Sequence, residues 1–209
     1  MINYFVKWNE KKVQLLNISN KFCSNDIVCR QMLELLSNET TNIKLDTDIK
    51  SNYYVFLTDT IYLSDREQAK NGYQRMCVIA HECIHSIQNK TTQVINFTLA
   101  NVELIAFVIS LICIIFKFNT NIVFFSYLIL NILSAIPRLI LEIDATIRSI
   151  DLSRKYMQYK LDKNELSSIL EVYKLQMVLF FPLFIVSLLM GRVLRLLIIY
   201  IDIKYYLIF

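Results

Sequence analysis

The residues best suited to chemistry in this 209-residue chain are its two histidines, in the run His81-Glu82-Cys83-Ile84-His85. On a helix, positions i and i+4 share a face about one turn apart, so both imidazoles can reach a single cation. A glutamate directly after the first histidine stands where it could take a proton from water activated by that cation. This is the H-E-x-x-H logic of zinc hydrolases, with Glu82 as the catalytic base. Two histidines leave a zinc site incomplete, because a catalytic zinc takes three protein ligands and keeps a further position for water. With no other histidine in the chain, the third ligand must be a carboxylate or a thiolate. Cys77 lies a full turn before His81 and Cys83 points away from the pair, so both read as buried small residues.

The elements that must position these groups are legible in outline. Residues 72–88 predict a helix with polar residues on both flanks, which places the motif outside any lipid core. Upstream, Ser24-Asn25-Asp26 offers an N-cap to a short amphipathic helix carrying Ile27, Val28, Met32, Leu35 and Leu36. Residues 53–57 and 60–64 are aromatic and β-branched around a Thr58-Asp59 turn and predict a β-hairpin. The first 21 residues read only as loosely helical. With two glycines and two prolines in the whole chain, helix breakers are scarce and a mostly α protein is expected.

Hydrophobic residues make up 55% of the chain, and the long apolar runs fall after Val94. Residues 94–116 and 121–141 match the roughly 20 residues needed to cross hydrocarbon and predict a transmembrane helical hairpin turning at 117–120. The charged stretch 142–174 reads as a water-facing helix. Residues 175–209 read as a C-terminal transmembrane segment, provided that it runs past Arg192, whose side chain can snorkel or face protein. The chain thus divides into a water-facing part (1–93), a membrane hairpin (94–141), a water-facing helix (142–174) and a membrane segment (175–209). Glu103 is either an intramembrane acid, and then a functional suspect, or an interfacial residue of a span that starts late.

Two crossings return the chain at position 142 to the side it left at 93. Glu142-Ile143-Asp144-Ala145 follows the second span directly. Glu142 is therefore the candidate third ligand, and Asp144 is either a competing ligand or an acceptor for a ligand imidazole N–H. Both acids also suit the start of an ordinary helix. The metzincin continuation needs glycine at position 88 and histidine at 91, where this chain has Gln88 and Thr91. A site-two protease would bury its motif within a span and carry a later Asp-Gly pair, which this chain lacks.

With both segments in hand, the chain resembles the YugP-type family of membrane-bound neutral zinc metallopeptidases, which belong broadly with the gluzincins. The resemblance runs over roughly residues 53–200. It rests on Ile61-Tyr62-Leu63-Ser64, on Ile79-Ala80-His81-Glu82-Cys83-Ile84-His85-Ser86-Ile87-Gln88 and on Leu141-Glu142-Ile143-Asp144-Ala145-Thr146-Ile147-Arg148. It implies a zincin-like metallopeptidase domain in an integral membrane protein, with the transmembrane hairpin between the HExxH helix and the helix of the glutamate ligand. It further implies that His81, His85 and Glu142 hold Zn2+ and that Glu82 is the base. Two departures stand out: Ile84 replaces the family's glycine, and the family's N-terminal membrane helix is not visible.

The function expected is a membrane-anchored zinc metallopeptidase that hydrolyses peptide bonds in peptide or membrane-protein substrates. The alternative, motivated by Ile84, is a catalytically retired zinc-binding scaffold. The oxyanion of such a reaction needs a further donor, for which Arg148, Tyr73 and Tyr62 are candidates. A net charge of +4 spread among acids carries no nucleic-acid footprint. Five cysteines without a C-x-x-C pair read as free thiols, and the N-terminus turns charged before an export signal can form. Lys90, Arg138, Arg148, Arg154, Lys155, Lys160 and Lys163 flank the spans on one side, whereas the hairpin turn carries Lys117. The positive-inside rule then places the catalytic side in the cytoplasm.

Overall fold

Residues 5, 6, 8–10, 22–65 and 72–206 are described by a computed structural model. Of the N-terminal stretch expected to be loosely helical, residues 5, 6 and 8–10 are helical and the rest lies outside the described residues, as do 66–71 of the polar run before the motif. The elements are α1 (Asn25–Leu35), β1 (Asn42–Asp46), β2 (Tyr53–Val55), β3 (Thr60–Ser64), α2 (Gln74–Ile87), α3 (Lys90–Ile115), α4 (Thr120–Met157) and α5 (Lys163–Tyr206). They group into two compact units, one of Met1–Gln88 with Glu142–Phe181 and one of Asn89–Leu141 with Pro182–Phe209.

The first unit is built around a small mixed sheet of order β1-β3-β2. The expected hairpin is β2 with β3, antiparallel from Tyr53 opposite Tyr62 to Val55 opposite Thr60. Residues 42–46, to which the sequence assigned no partner, add a parallel strand on the other side of β3. Central β3 is covered, with Ile61 and Leu63 fully buried. Their core companions are Val28, Met32 and Leu33 of α1, Met76, Ile79 and Ile84 of α2, Ala145 and Leu152 of α4, and Ile169 and Val172 of α5. Ile84, where the resembled family has glycine, is thus a core residue here.

Polar side chains lock this core in register. Buried Arg75 donates to Asn25 Oδ1 at 2.7 Å and to the Phe22 carbonyl at 3.1 Å, and Asn25 Nδ2 donates to the Ser64 carbonyl at 3.2 Å. The start of α2 is therefore joined to the start of α1 by the guanidinium, and the Asn25 amide carries the link on to the end of β3. At the other end of α2, Asn38 Nδ2 donates to Ser86 Oγ at 2.9 Å.

The turns follow from local chemistry. Helix α3 ends in a Schellman motif, with Lys117 at φ 55° and bonds from Phe118 N to Cys113 O (3.0 Å) and from Lys117 N to Ile114 O (2.9 Å). Asn119 then caps α4 by accepting from Ile122 N at 3.3 Å. The stretch 142–174 is not one helix, as expected, but two. Helix α4 stops at Met157 and α5 starts at Lys163, because Asp162 Oδ1 accepts from Glu165 N (2.8 Å) while Glu165 Oε2 accepts from Asp162 N (3.4 Å). That reciprocal capping box is a strong start signal. The C-terminal membrane segment expected from residue 175 is correspondingly the later part of α5, which runs unbroken through Pro182 and Gly191.

Helices α3, α4 and α5 are each long and apolar enough to cross a membrane. The 26 residues of α3 span about 39 Å at 1.5 Å per residue, more than the ~30 Å of a hydrocarbon core. In the second unit the usual order of a water-soluble protein is inverted. Ile105, Val108, Ile122, Phe125, Ile129 and Leu197 are exposed, whereas Glu103, Asn131, Ser134 and Ser110 are buried. Such an apolar exterior suits lipid and not water.

Inside that unit, Glu103 sits halfway along α3 and is 1% exposed. Its carboxylate accepts a bidentate pair from Arg195, Nε at 3.0 Å and Nη2 at 2.7 Å, with further bonds from Tyr127 Oη and from Asn131 Nδ2 (3.3 Å). Arg192 Nη1 lies 3.7 Å from the same carboxylate and also donates to Ser134 Oγ. The charges that would oppose burial of α5 are thus matched by one acid on α3 and polar groups on α4. Removing one partner of a buried pair costs about 3–5 kcal/mol, more than replacing both. Glu103→Leu should therefore lower the unfolding free energy of the detergent-solubilised protein by about that amount, and Glu103→Leu with Arg195→Leu should recover part of the loss in a double-mutant cycle of denaturation midpoints.

Candidate metal centre

Helix α2 places His81 and His85 one turn apart on one side, as their spacing requires. Their Nε2 atoms approach to 3.0 Å, with the rings edge-on at 86°. From α4, Glu142 Oε2 lies 3.3 Å from His81 Nε2 and 3.7 Å from His85 Nε2. Among the described residues this is the one group of three metal-binding side chains whose ligand atoms all fall within 4.8 Å. All three belong to the first unit.

The spacing can be tested against a cation. Bonds of about 2.0–2.2 Å in a tetrahedral array put neighbouring donor atoms about 3.3–3.6 Å apart. The observed edges of 3.0, 3.3 and 3.7 Å bracket that range. The donor set is chemically suitable as well: two imidazoles and a carboxylate supply three ligands and leave a fourth position open. The group is enclosed without being sealed, with His81 21%, His85 15% and Glu142 8% exposed at the side chain. These residues could hold a metal ion.

The surroundings orient His85. His85 Nδ1 is 2.7 Å from Gln88 Oε1, and Gln88 Nε2 donates to Asp144 Oδ2 at 2.9 Å. Arg148 Nη1 donates to the same Asp144 oxygen at 3.3 Å. Asp144, for which the sequence left two roles open, therefore lies outside the ligand group and reaches His85 through Gln88. The sequence gives Gln88 no role at the metal centre. Its place three residues after His85, on the same helical face, was the available signal.

Glu82 is buried and accepts a hydrogen bond from the Tyr54 backbone amide, so its carboxylate rests against edge strand β2. Burial pushes its pKa above the usual carboxylate range; the neighbouring histidines pull it down and Glu142 pushes it up. Burial pulls His85 down, but hydrogen bonds with Glu142 and Gln88 and the charges of Glu142 and Glu82 outweigh it and leave the imidazole raised. Cys83 is fully buried with its Sγ 3.6 Å from Cys29 Sγ, and Cys77 Sγ contacts Ser149 Oγ at 3.4 Å. Neither thiol belongs to the ligand group.

The structure separates the three oxyanion candidates. Tyr73 is a core residue whose ring packs on Tyr173. Tyr62 stacks on Tyr53 with centroids 5.0 Å apart, and Lys44 lies over it on the sheet. Arg148 is joined to the centre through Asp144 and Gln88.

A direct expectation follows from the donor geometry. Purified wild-type protein should carry about one divalent ion per chain by elemental analysis, as a three-ligand site does. His81→Ala, His85→Ala and Glu142→Ala should each abolish that content after dialysis, whereas Glu82→Gln should retain it.

Searches against family models, curated proteins and solved structures give no match to this chain.

Proposed function

We propose that the chain is a membrane-anchored zinc metallopeptidase with a zincin-like domain, akin to the YugP-type family that its motifs resemble, acting on peptide or membrane-protein substrates. The observation that carries this reading is the convergence of His81, His85 and Glu142 beside a buried glutamate that follows the first histidine directly. Two imidazoles with one carboxylate match the ligand type of catalytic zinc in peptidases such as thermolysin, whereas structural zinc sites fill all four positions with protein. A zinc ion held there would supply Lewis acidity, polarising a scissile carbonyl and acidifying water.

The chain's own residues supply the rest. Glu82 takes the proton of the attacking water and returns it to the leaving amine; burial raises its basicity toward what that exchange needs. The Tyr54 amide holds the Glu82 carboxylate in place. Strand β2 lies at the sheet edge, and its contact with Glu82 sets that edge beside the centre. An extended peptide can add to this edge as a further strand, which delivers its backbone to the histidines. Arg148, paired with Asp144 at the outer end of the hydrogen-bond chain, is the cation that a developing oxyanion would draw on.

The basic residues flanking the apolar helices support a cytoplasmic catalytic side. Five free cysteines agree with a reducing compartment.

In a peptide-cleavage assay on the solubilised protein, Glu82→Gln should lower turnover by about 10²–10⁴-fold while zinc content stays at the wild-type value. Wild-type protein that binds zinc yet cleaves no peptide identifies the scaffold alternative. Reporter fusions in the 117–121 turn should score on the non-cytoplasmic side, and a cytoplasmic score reverses the orientation.

A further inference from the structure

Between the motif helix and α4 runs a chain of four polar side chains whose direction can be read atom by atom. It begins at Asp144, whose carboxylate accepts and does not donate when ionised. Gln88 presents a side-chain atom 2.9 Å from Asp144 Oδ2, and that atom must be the donor Nε2. The other end of the same amide is then the acceptor Oε1, and it lies 2.7 Å from His85 Nδ1. Nδ1 must therefore carry the imidazole proton. A neutral ring with its proton on Nδ1 has a bare lone pair on Nε2, the atom that faces His81 and Glu142. Arg148 Nη1 donates to the same Asp144 oxygen at 3.3 Å and closes the chain.

We infer that Gln88 and Asp144 form a positioning relay: Asp144 fixes which way the Gln88 amide points, and Gln88 in turn fixes His85 as an Nε2 ligand. The inference rests on the metal-site reading above and adds to it two residues that touch no metal. A carboxylate or carbonyl usually receives the ligand histidine's N–H directly. Here a neutral amide stands between, so the acid of the relay stays one side chain away from the imidazole. Gln88 lies at the helix end, with extended backbone at ψ 158°, one residue before the Asn89 cap of α3. The residue that ends the motif helix is thus the same one that sets its second ligand.

The test uses the full chain in detergent, with zinc affinity measured by competition with a chromophoric chelator. Loss of a group that orients a ligand typically costs about 10–100-fold in metal affinity. Gln88→Ala should weaken zinc by that amount with stoichiometry unchanged, and Asp144→Ala should act in the same direction. Q88E sets two carboxylates face to face and should weaken binding, whereas Q88E combined with D144N restores one donor and one acceptor and should bring affinity back toward wild type. A merely structural defect would not be rescued by that pair.

A second measurement reads the tautomer itself. With two histidines in the chain, ¹⁵N-histidine labelling yields four ring nitrogens to assign. In metal-free wild type, His85 should be protonated on Nδ1, and Gln88→Ala should mix the tautomers. Unchanged affinity and an unchanged tautomer in Gln88→Ala overturn the relay and leave the metal site standing. Loss of all zinc in Asp144→Ala with none in Gln88→Ala makes Asp144 a ligand and also overturns it. A wild-type chain that takes up no zinc overturns the metal reading, while a His85 fixed on Nδ1 in that same chain still supports the relay.

Discussion

Two imidazole nitrogens and a carboxylate oxygen brought to within 3.0–3.7 Å of one another form the constraint around which the first unit is arranged. Enclosing three polar groups away from water costs hydration that they must recover from one another or from a cation. The folded chain holds the donors in place by other means: the core contacts of α2 and the amide of Gln88 that holds His85. The stability of that frame is thus what holds the three side chains together. Binding free energy for a metal is gained where the fold has already met the cost of bringing the ligands together.

The frame has few places to give. Ile61 and Leu63 of the central strand, Ile79 and Ile84 of the motif helix and Ala145 of the glutamate helix share one core. Ile84 is 1% exposed and fills core volume within the first unit. The buried guanidinium of Arg75 then fixes how the start of α2 meets α1, and Asn25 ties that junction to β3. A polar network of this kind specifies one arrangement because each of its groups is costly to leave unpaired.

The second unit solves a different problem with the same chemistry. Its outward residues are apolar and its interior holds Glu103, Arg195, Tyr127 and Asn131 in one hydrogen-bonded cluster. Charges in a low-dielectric environment persist when paired and bonded, and here the pairing joins residues more than 90 positions apart, Glu103 and Arg195. Read as a string, the chain shows Glu103 as an acid of uncertain depth and Arg192 and Arg195 as obstacles to a final span. Each explains the other once they are brought together.

Much of this was legible in the chain itself, because it depends on local rules. The i, i+4 spacing of two histidines puts them on one helical face. Apolar runs of more than 20 residues demand helices of membrane length, and aromatic and β-branched runs around Thr58-Asp59 make a hairpin. The Asp162–Glu165 capping box that breaks the charged segment into two helices is equally local, although the segment's charge pattern alone reads as one helix. Other features depend on separations no local rule can carry. The third strand pairs residue 42 with residue 60 in parallel. Glu142, and not Asp144, turned out to stand within reach of both imidazoles, although the two acids are neighbours of like chemistry. The choice between them is made by the rotation of α4 about its axis, since two residues on a helix point some 200° apart. Only tertiary packing sets that angle, and with it which carboxylate faces the histidines and which is left to hold Gln88.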